Sequence, residues 1–318
     1  MSAITSPRLG LTVGPLQYWW TREATLDCYA EVAESPADVV VLGEVVCSRR
    51  NEISLEDWLA LARDLRGAGK TVVLATQPLV MSEAELRMIR RIAEQDEFAV
   101  EAGDAAALGV LARAAATRPQ RPAFVIGPHV NVYSRAALVE HTGFGAGAWV
   151  APIELPLEAV GRINPGSDPV PGACGPIVTE VFGFGRMPLA FSARCFTARH
   201  HRLKKDTCEF RCREDADGLL LASGDRQPFL VLNGIQTQSA GLHCLIGAGA
   251  ALRAANVTRV RLSPSSRGFA RVLQLFDAVY NRSYPLADAI GELAGLALPG
   301  ALVHGYAHGR PGMETFAA

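Results

Sequence analysis

The sequence has almost no net charge and no long hydrophobic run. Its 31 basic and 32 acidic residues leave a formal net charge of -1 at pH 7, so no overall field attracts nucleic acid or an anionic membrane. No apolar run approaches the length of a membrane span. The opening residues, MSAITSPRLGLTVGP, lack the basic segment and apolar stretch of a secretory signal. We therefore expect a cytoplasmic protein with no transmembrane segment and no nucleic-acid partner.

Several catalytic signatures are also absent. The sequence contains neither the usual dinucleotide fingerprint nor a phosphate-binding loop. It contains neither a G-x-S-x-G nucleophile turn nor an H-E-x-x-H zinc motif. Nucleotide-binding folds of the common kinds and peptidases of these two mechanisms are therefore not predicted.

What the sequence does contain is a regular alternation of short apolar and amphipathic segments. Several apolar segments are continuous rather than alternating, which is typical of strands buried on both faces of a parallel sheet. The alternation predicts an α/β protein, specifically one TIM-barrel-like (β/α)8 domain over residues 1–318, with a doubly wound open sheet as the alternative. The predicted strands are 9–15, 37–45, 70–77, 98–103, 123–130, 148–154, 176–183, 228–234 and 258–264.

The segments between the strands carry helix signals, with one exception. Residues 54–70, 81–95 and 134–143 each begin with a serine cap, and Ser54 with Asp57 resembles a capping box. Residues 192–227 show neither the helical nor the strand period and are rich in charged residues. We interpret them as a long cysteine-containing insertion after a late strand, a kind of loop that is usually functional or disordered.

Cysteine is sparse, with seven residues in 318, but three of the seven lie in this insertion. Clustered cysteines in a reducing compartment more often bind metal than form disulfides. Cys208 and Cys212 form a C-x3-C pair, and Cys195 lies upstream of them. Residues that follow barrel strands converge on one face, and Cys47 follows the strand at 37–45, so Cys47 is the predicted fourth ligand.

The spacing of these four cysteines favours a [4Fe–4S] cluster over zinc. Structural zinc sites favour two close cysteine pairs, whereas one distant cysteine and a loose trio suit the wider corners of a cubane. Non-catalytic zinc binding is the alternative. Cys28, within an apparent helix, and the isolated Cys174 and Cys244 are assigned no ligand role.

Five polar residues at or near predicted strand ends are candidates for a substrate pocket. Each also has a structural interpretation: His129, for example, as a core imidazole and Glu180 as an ion-pair partner of Arg194. No catalytic residue is assigned. The candidates are Glu44, His129, Asn131, Tyr133 and Glu180.

The segment EVFGFGRMPLAFSARCFTAR resembles the signature of the collagenase-like peptidase family, U32. The blocks GPLQYWW, LGEVVCSRR, GPHVNVY, LAFSARCFTAR, VLNGIQT and VRLSP are similar, in their order, to the branch of that family that serves anaerobic ubiquinone biosynthesis. Pro188 stands where the wider family has a cysteine, and this branch uses one at the place of Cys47 instead.

The resemblance implies a [4Fe–4S] cluster on Cys47, Cys195, Cys208 and Cys212. It also implies a heterodimer with a UbiU-like paralogue that supports O2-independent ring hydroxylation of a prenylated phenolic quinone precursor, with prephenate as a hydroxyl donor. A related O2-independent factor that hydroxylates tRNA or rRNA is the alternative enzyme class.

Overall fold

In the computed structural model, which describes residues 7–315, eight parallel strands close into a ring. Strands β1 to β6 pair in chain order, β6 pairs with β9, β9 with β13, and β13 returns to β1. The (β/α)8 prediction is confirmed, and the open-sheet alternative is wrong because β13 closes the ring. The strands are β1 (Gly10–Val13), β2 (Val39–Leu42), β3 (Thr71–Ala75), β4 (Ala99–Ala102), β5 (Phe124–Ile126), β6 (Ala146–Val150), β7 (Pro171–Gly172), β8 (Gly175–Pro176), β9 (Val178–Phe191), β10 (Leu219–Ala222), β11 (Pro228–Asn233), β12 (Gln236–Cys244), β13 (Arg259–Leu262) and β14 (Leu302–Val303).

Helices lie between the ring strands, and their starts follow the sequence signals. Ser54, Ser82 and Ser134 each accept a hydrogen bond from a backbone N–H three residues later, and the Ser54–Asp57 capping box is complete. The helices are α1 (Arg22–Ala33), α2 (Leu55–Gly67), α3 (Glu83–Glu94), α4 (Ala105–Thr117), α5 (Arg135–Gly143), α6 (Leu157–Ile163), α7 (Phe196–His200), α8 (Gly249–Ala254), α9 (Phe269–Asn281) and α10 (Leu286–Gly295). No helix of the described chain is both long and apolar enough to cross a bilayer.

Alternate residues of each ring strand face two different cores. Val40 and Leu42 of β2 pack outwards in the large cluster under the helices, whereas Val39 and Val41 point inwards and form a second cluster in the barrel. This inner cluster also includes Ile235, and it packs against two predicted ligands, Cys47 and Cys195.

Outside the ring, the chain forms an antiparallel extension that the sequence did not predict fully. Strand β9 runs on beyond the barrel and pairs with β12, which in turn pairs with β11, and β11 with β10. The predicted strand at 228–234 therefore exists but is not a ring strand. Strand β12 was missed because its sequence, QTQSAGLHC, has no apolar run.

The insertion at 192–227 is more ordered than its sequence pattern indicated. It contains α7, the short 3-10 turns Lys205–Thr207 and Arg211–Arg213, and strand β10. These elements are too short to reveal a period, and they depend on contacts with the barrel mouth.

Candidate functional site

Three of the four predicted ligand thiols are neighbours at the carboxyl-terminal mouth of the barrel. Cys47 lies on the loop after β2, Cys195 is the N-cap of α7, and Cys212 lies in the second 3-10 turn. All three are half-buried and free of disulfides. Burial raises the pKa of Cys47 and of Cys212, and the nearby Cys195 thiol raises both further. The thiols are thus within electrostatic reach of one another although they are far apart in sequence.

Cys208 is held beside this group by Arg49. The Arg49 guanidinium lies 3.6 Å from the Cys208 Sγ. It also donates hydrogen bonds to the carbonyl oxygens of Lys205 and, at 2.9 Å, of Asp206, and it lies over the Phe210 ring at 5.3 Å. One side chain of the Cys47 loop therefore fixes the loop that carries Cys208.

Hydrogen-bond donors lie beside three of the predicted ligand thiols. The Ala198 N–H donates to the Cys195 Sγ at 3.4 Å. The backbone N–H of Arg49 lowers the pKa of Cys47, and the Arg50 side chain lowers that of Cys212, both against the larger effect of burial. Cation and N–H donors around thiolates are the groups that tune iron–sulfur sites.

The donor set can be tested against the metal centres proposed from sequence. Within residues 7–315, no three His, Cys, Asp or Glu side chains are close enough together to hold one metal ion. The chemistry of the site, four thiols with arginine and N–H donors and no histidine or carboxylate among the predicted ligands, nevertheless fits an iron–sulfur cluster.

Behind the cysteines, a buried polar network locks three segments together. Arg50 donates to the Gln17 carbonyl at 2.9 Å and to the Asn233 side chain at 2.6 Å. Asn233 in turn donates to the same Gln17 carbonyl at 2.7 Å. The segment after β1, the Cys47 loop and the β11–β12 turn are therefore held as one unit.

An aromatic layer covers the same site. Trp19 is buried, and its ring meets Phe210 edge-on with centroids 4.5 Å apart. The Arg213 guanidinium lies 4.1 Å from the centre of the Trp19 ring and forms an ion pair with Glu52. These contacts join the loop that carries Cys208 and Cys212 to the segment after β1.

Two candidate pocket residues, His129 and Glu180, lie near Arg261 inside the barrel. Glu180 accepts hydrogen bonds from Arg261 Nε at 2.5 Å and from the Thr12 hydroxyl at 2.8 Å, so its partner is not Arg194. The other edge of the Arg261 guanidinium pairs with Glu101 at 2.5 and 3.0 Å.

The small cavity beside this ion network has a volume of about 30 Å³, enough for one or two water molecules. His129 lines it, with its ring 4.9 Å from Phe191. Burial, and secondarily Arg261, lowers the pKa of His129 to about 4. His129 is therefore a neutral imidazole near pH 7.

The remaining three candidates lie outside this cavity. Glu44 accepts the N–H groups of Val46 and Cys47 at 2.7 and 3.0 Å, and burial raises its pKa against the effect of Arg50. Asn131 and Tyr133 are exposed. Burial, with the hydrogen bond that Tyr133 donates to Glu154, raises the Tyr133 pKa to about 12. The five candidates therefore do not form one pocket.

Sequence reasoning missed the arginines that organise both sites. Arg49 and Arg50 were visible only as part of a family block, and Arg261 and Glu101 were not singled out. A usable signal existed, because Glu101 and Arg261 are each a charged residue inside an apolar strand, AVEA and RVRL. A charge in that position requires a buried partner.

The family model for peptidase family U32 matches residues 24–267. The chain belongs to peptidase family U32. The structure titled "The Structure of the U32 Peptidase Mk0906" shares 15% identity with this U32 chain, with a TM-score of 0.42 over 82% of this chain and 94% of the other.

Two further solved structures resemble this U32 chain. The Bacillus megaterium spore cortex-lytic enzyme SleL has 11% identity and a TM-score of 0.43, over 86% of this chain and 75% of the other. The Mycobacterium tuberculosis tryptophan synthase in space group F222 has 14% identity and a TM-score of 0.42, over 89% and 93%.

Proposed function

We propose that this U32 protein is a UbiV-like iron–sulfur subunit. In this proposal it acts with a UbiU-like paralogue in the O2-independent ring hydroxylation of a prenylated phenolic precursor of ubiquinone. The observation that supports the proposal is that Cys47 and Cys195, from distant parts of the chain, pack against the same inner cluster of the barrel. The sequence blocks that resemble the ubiquinone branch of the family supply the rest.

Cys47, Cys195, Cys208 and Cys212 would hold the [4Fe–4S] cluster. When bound, such a cluster supplies one-electron transfer or structural rigidity, since four thiolates leave no iron open to a substrate. Arg49 and Arg50 offset the negative charge that four thiolates bring together. The contact of Trp19 with Phe210 helps to hold the loop that carries Cys208 and Cys212.

The ring chemistry itself requires an oxygen source other than O2, and the family resemblance points to prephenate as the hydroxyl donor. The substrate pocket would be shared with, or provided by, the UbiU-like partner. The barrel mouth of this chain supports that view, since the cavity beside His129 and Arg261 has room for water only.

The ligand assignment is tested by replacing each of the four cysteines with serine. Each of Cys47→Ser, Cys195→Ser, Cys208→Ser and Cys212→Ser should lose more than about half of the iron bound after anaerobic purification, because a cubane needs a thiolate at each iron. Cys174→Ser is the matched control, because Cys174 is exposed and lies between β7 and β8. Full iron content in any one of the four variants would show that the replaced cysteine is not a ligand.

The biological role is tested by anaerobic co-expression with the UbiU-like paralogue. The complex should form a ring-hydroxylated quinone precursor, and a complex carrying Cys195→Ser should not. Hydroxylated tRNA or rRNA, in place of a hydroxylated quinone precursor, would show that the alternative function is correct. A stable zinc protein that forms neither product would contradict both proposed hydroxylation functions.

A further inference from the structure

A larger cavity, lined by other residues than the small cavity beside His129 and Arg261, opens between helices α2 and α3. Its volume is about 440 Å³, within the range of sites that enclose a small organic molecule. The ends of β2 and β3 form its floor. Its wall combines aliphatic residues with polar and charged ones, and Trp58 is the one aromatic residue among the described lining residues; the aliphatic members include Leu42, Leu55, Leu74, Met88, Ile89 and Ile92.

The charged groups around this cavity are already engaged with the protein. The cations among the described lining residues are Arg50 and Arg91. Arg50 is bound to Gln17 and Asn233, and Arg91 pairs with Glu56 across the two helices at 2.7 Å. The same lining also carries the carboxylates of Glu44, Glu56 and Glu85, so an acidic ligand would add a further negative charge and its burial would be unfavourable.

At the inner end, the cavity presents hydrogen-bond acceptors. Glu44 lines it. The Glu44 carboxylate already accepts hydrogen bonds from two backbone N–H groups, and it can accept more. Glu85 lies nearby and accepts the Ser48 hydroxyl at 2.6 Å. A ligand that matches these groups carries a hydrogen-bond donor, such as a hydroxyl group, at this end.

We propose that this cavity binds a neutral amphiphile, an aliphatic chain that ends in a hydroxyl group. The hydroxyl group lies towards Glu44, and the chain lies between α2 and α3 against Leu55, Met88 and Ile92. Met88 suits this role because its flexible thioether adapts to chains of different shape. The bound hydroxyl end would contact the loop that carries Cys47, but the site does not depend on the proposed cluster.

The test is equilibrium dialysis of the full-length protein with labelled 1-dodecanol, farnesol and dodecanoate, each below its micelle-forming concentration. At least one alcohol should bind saturably, and dodecanoate should bind at least about tenfold more weakly because carboxylates outnumber cations in the lining. Preference for farnesol would identify an isoprenoid ligand, and preference for 1-dodecanol a straight alkyl one.

Two variants locate the binding to this cavity. Ala84→Phe fills it from α3, and Met88→Asp places a charge in its wall at a residue that is 41% exposed, so neither substitution disturbs the core. Both should weaken alcohol binding at least about tenfold, whereas Ala60→Phe, at an exposed alanine of α2 outside the lining, should leave it unchanged. The proposal would be overturned if neither alcohol bound saturably. It would also be overturned if both cavity variants bound the alcohol as tightly as the unaltered protein does. Iron content is measured separately, so failure here does not affect the cluster test.

Discussion

At the residue scale, Gly234 occupies the tightest turn behind the cysteines. Its φ is +64°, and a Cβ there would lie 2.9 Å from the Arg50 Nη2. Its N–H donates to the Thr197 hydroxyl at 2.9 Å, and its carbonyl accepts the Phe196 N–H at 3.1 Å. This glycine therefore joins the β11–β12 turn both to Arg50 and to the helix that follows Cys195.

Gly234→Ala should lower the free energy of unfolding by about 1–2 kcal/mol or more. The left-handed backbone costs an alanine that much, and the displaced Arg50 adds to it. Gly224→Ala is the control, because a Cβ added there would have no neighbour within 4 Å and its φ is not in the left-handed region. Urea unfolding measures both variants. Equal stability of the two would contradict the packing described for the turn.

Two buried histidines make stability depend on pH. Burial lowers the pKa of His243 to about 3 and that of His129 to about 4, whereas both titrate near pH 6.5 in the unfolded chain. The unfolded chain therefore binds more protons below pH 6.5. The free energy of unfolding should fall with decreasing pH, by up to about 1.4 kcal/mol per pH unit for each histidine.

His243→Asn should make this pH dependence shallower. The exposed His200 provides the control, since His200→Asn should leave the difference in unfolding free energy between pH 7 and pH 5 as in the unaltered protein. Urea unfolding at the two pH values gives both differences. An unchanged difference in the His243 variant would mean that its imidazole is not held neutral.

Some residues were predictable and others were not, for a definite physical reason. Cys47 could be placed near Cys195 because the ends of barrel strands meet at one face. The partner of Glu180 could not be predicted, because it depends on strand register. Arg261 is aligned with Thr12 of β1 and with Phe182 of β9, and only that alignment brings its guanidinium to Glu180.

At the scale of elements, the loop of residues 205–210 depends on one side chain from another loop. Arg49 donates to two of its carbonyl groups and touches Cys208. Hydrogen bonds from a charged group contribute about 1.5–3 kcal/mol each. The loop has no regular structure beyond its 3-10 turns, so its order rests on these contacts.

Arg49→Gln should therefore expose this loop to proteolysis. Trypsin cleavage within residues 199–213 should become faster by about tenfold or more, since local opening then costs less free energy. Arg63→Gln is the matched control, because Arg63 is an exposed arginine of α2 that pairs with Glu97. Mass spectrometry of the early fragments reports the site, and equal cleavage rates in the two variants would rule out this role for Arg49.

Helices were predicted well and the extra strands were not. The helices that begin after Ser54, Ser82 and Ser134 carry their signal locally, in a cap and a 3.6-residue period. Strand β12 has no apolar run, and the LLLA of β10 is too short to predict a strand by itself; β10 pairs with β11, and β12 pairs with β11 and β9. The sequence of one strand does not show which other strand it pairs with.

At the scale of the whole molecule, one ion network connects strands from opposite ends of the sequence. Arg261 of β13 binds Glu101 of β4 and Glu180 of β9, and Glu180 also receives the Thr12 hydroxyl of β1. All of these side chains are buried. The network therefore fixes the relative positions of four of the eight ring strands.

Arg261→Met should destabilise the protein by about 3–5 kcal/mol near pH 7. The substitution leaves two buried carboxylates without their cation, and breaking a buried ion pair from one side carries a cost of this size. The loss of unfolding free energy relative to the unaltered protein should be smaller at lower pH, where protonation of Glu101 or Glu180 removes the repulsion between the two carboxylates. Paired unfolding curves at pH 7 and pH 5 check this, and a deficit independent of pH would contradict it.

The overall architecture was predictable because a barrel repeats the same strand–helix unit. Eight repeats of one local pattern determine the ring, whereas the antiparallel extension occurs once and has no repeat to reveal it. The cysteine site spans both parts, with Cys47 on the barrel and the other three residues beyond β9. Its cysteines stay a prediction from the sequence, and the arginines beside them could not be predicted because they depend on how the two parts pack.

The iron and acid-labile sulfide content of the anaerobically purified protein tests the central claim most directly. The proposed [4Fe–4S] cluster on Cys47, Cys195, Cys208 and Cys212 predicts about four iron and four sulfide per chain. Zinc, or a chain with neither iron nor sulfide when purified with its partner, would contradict the account.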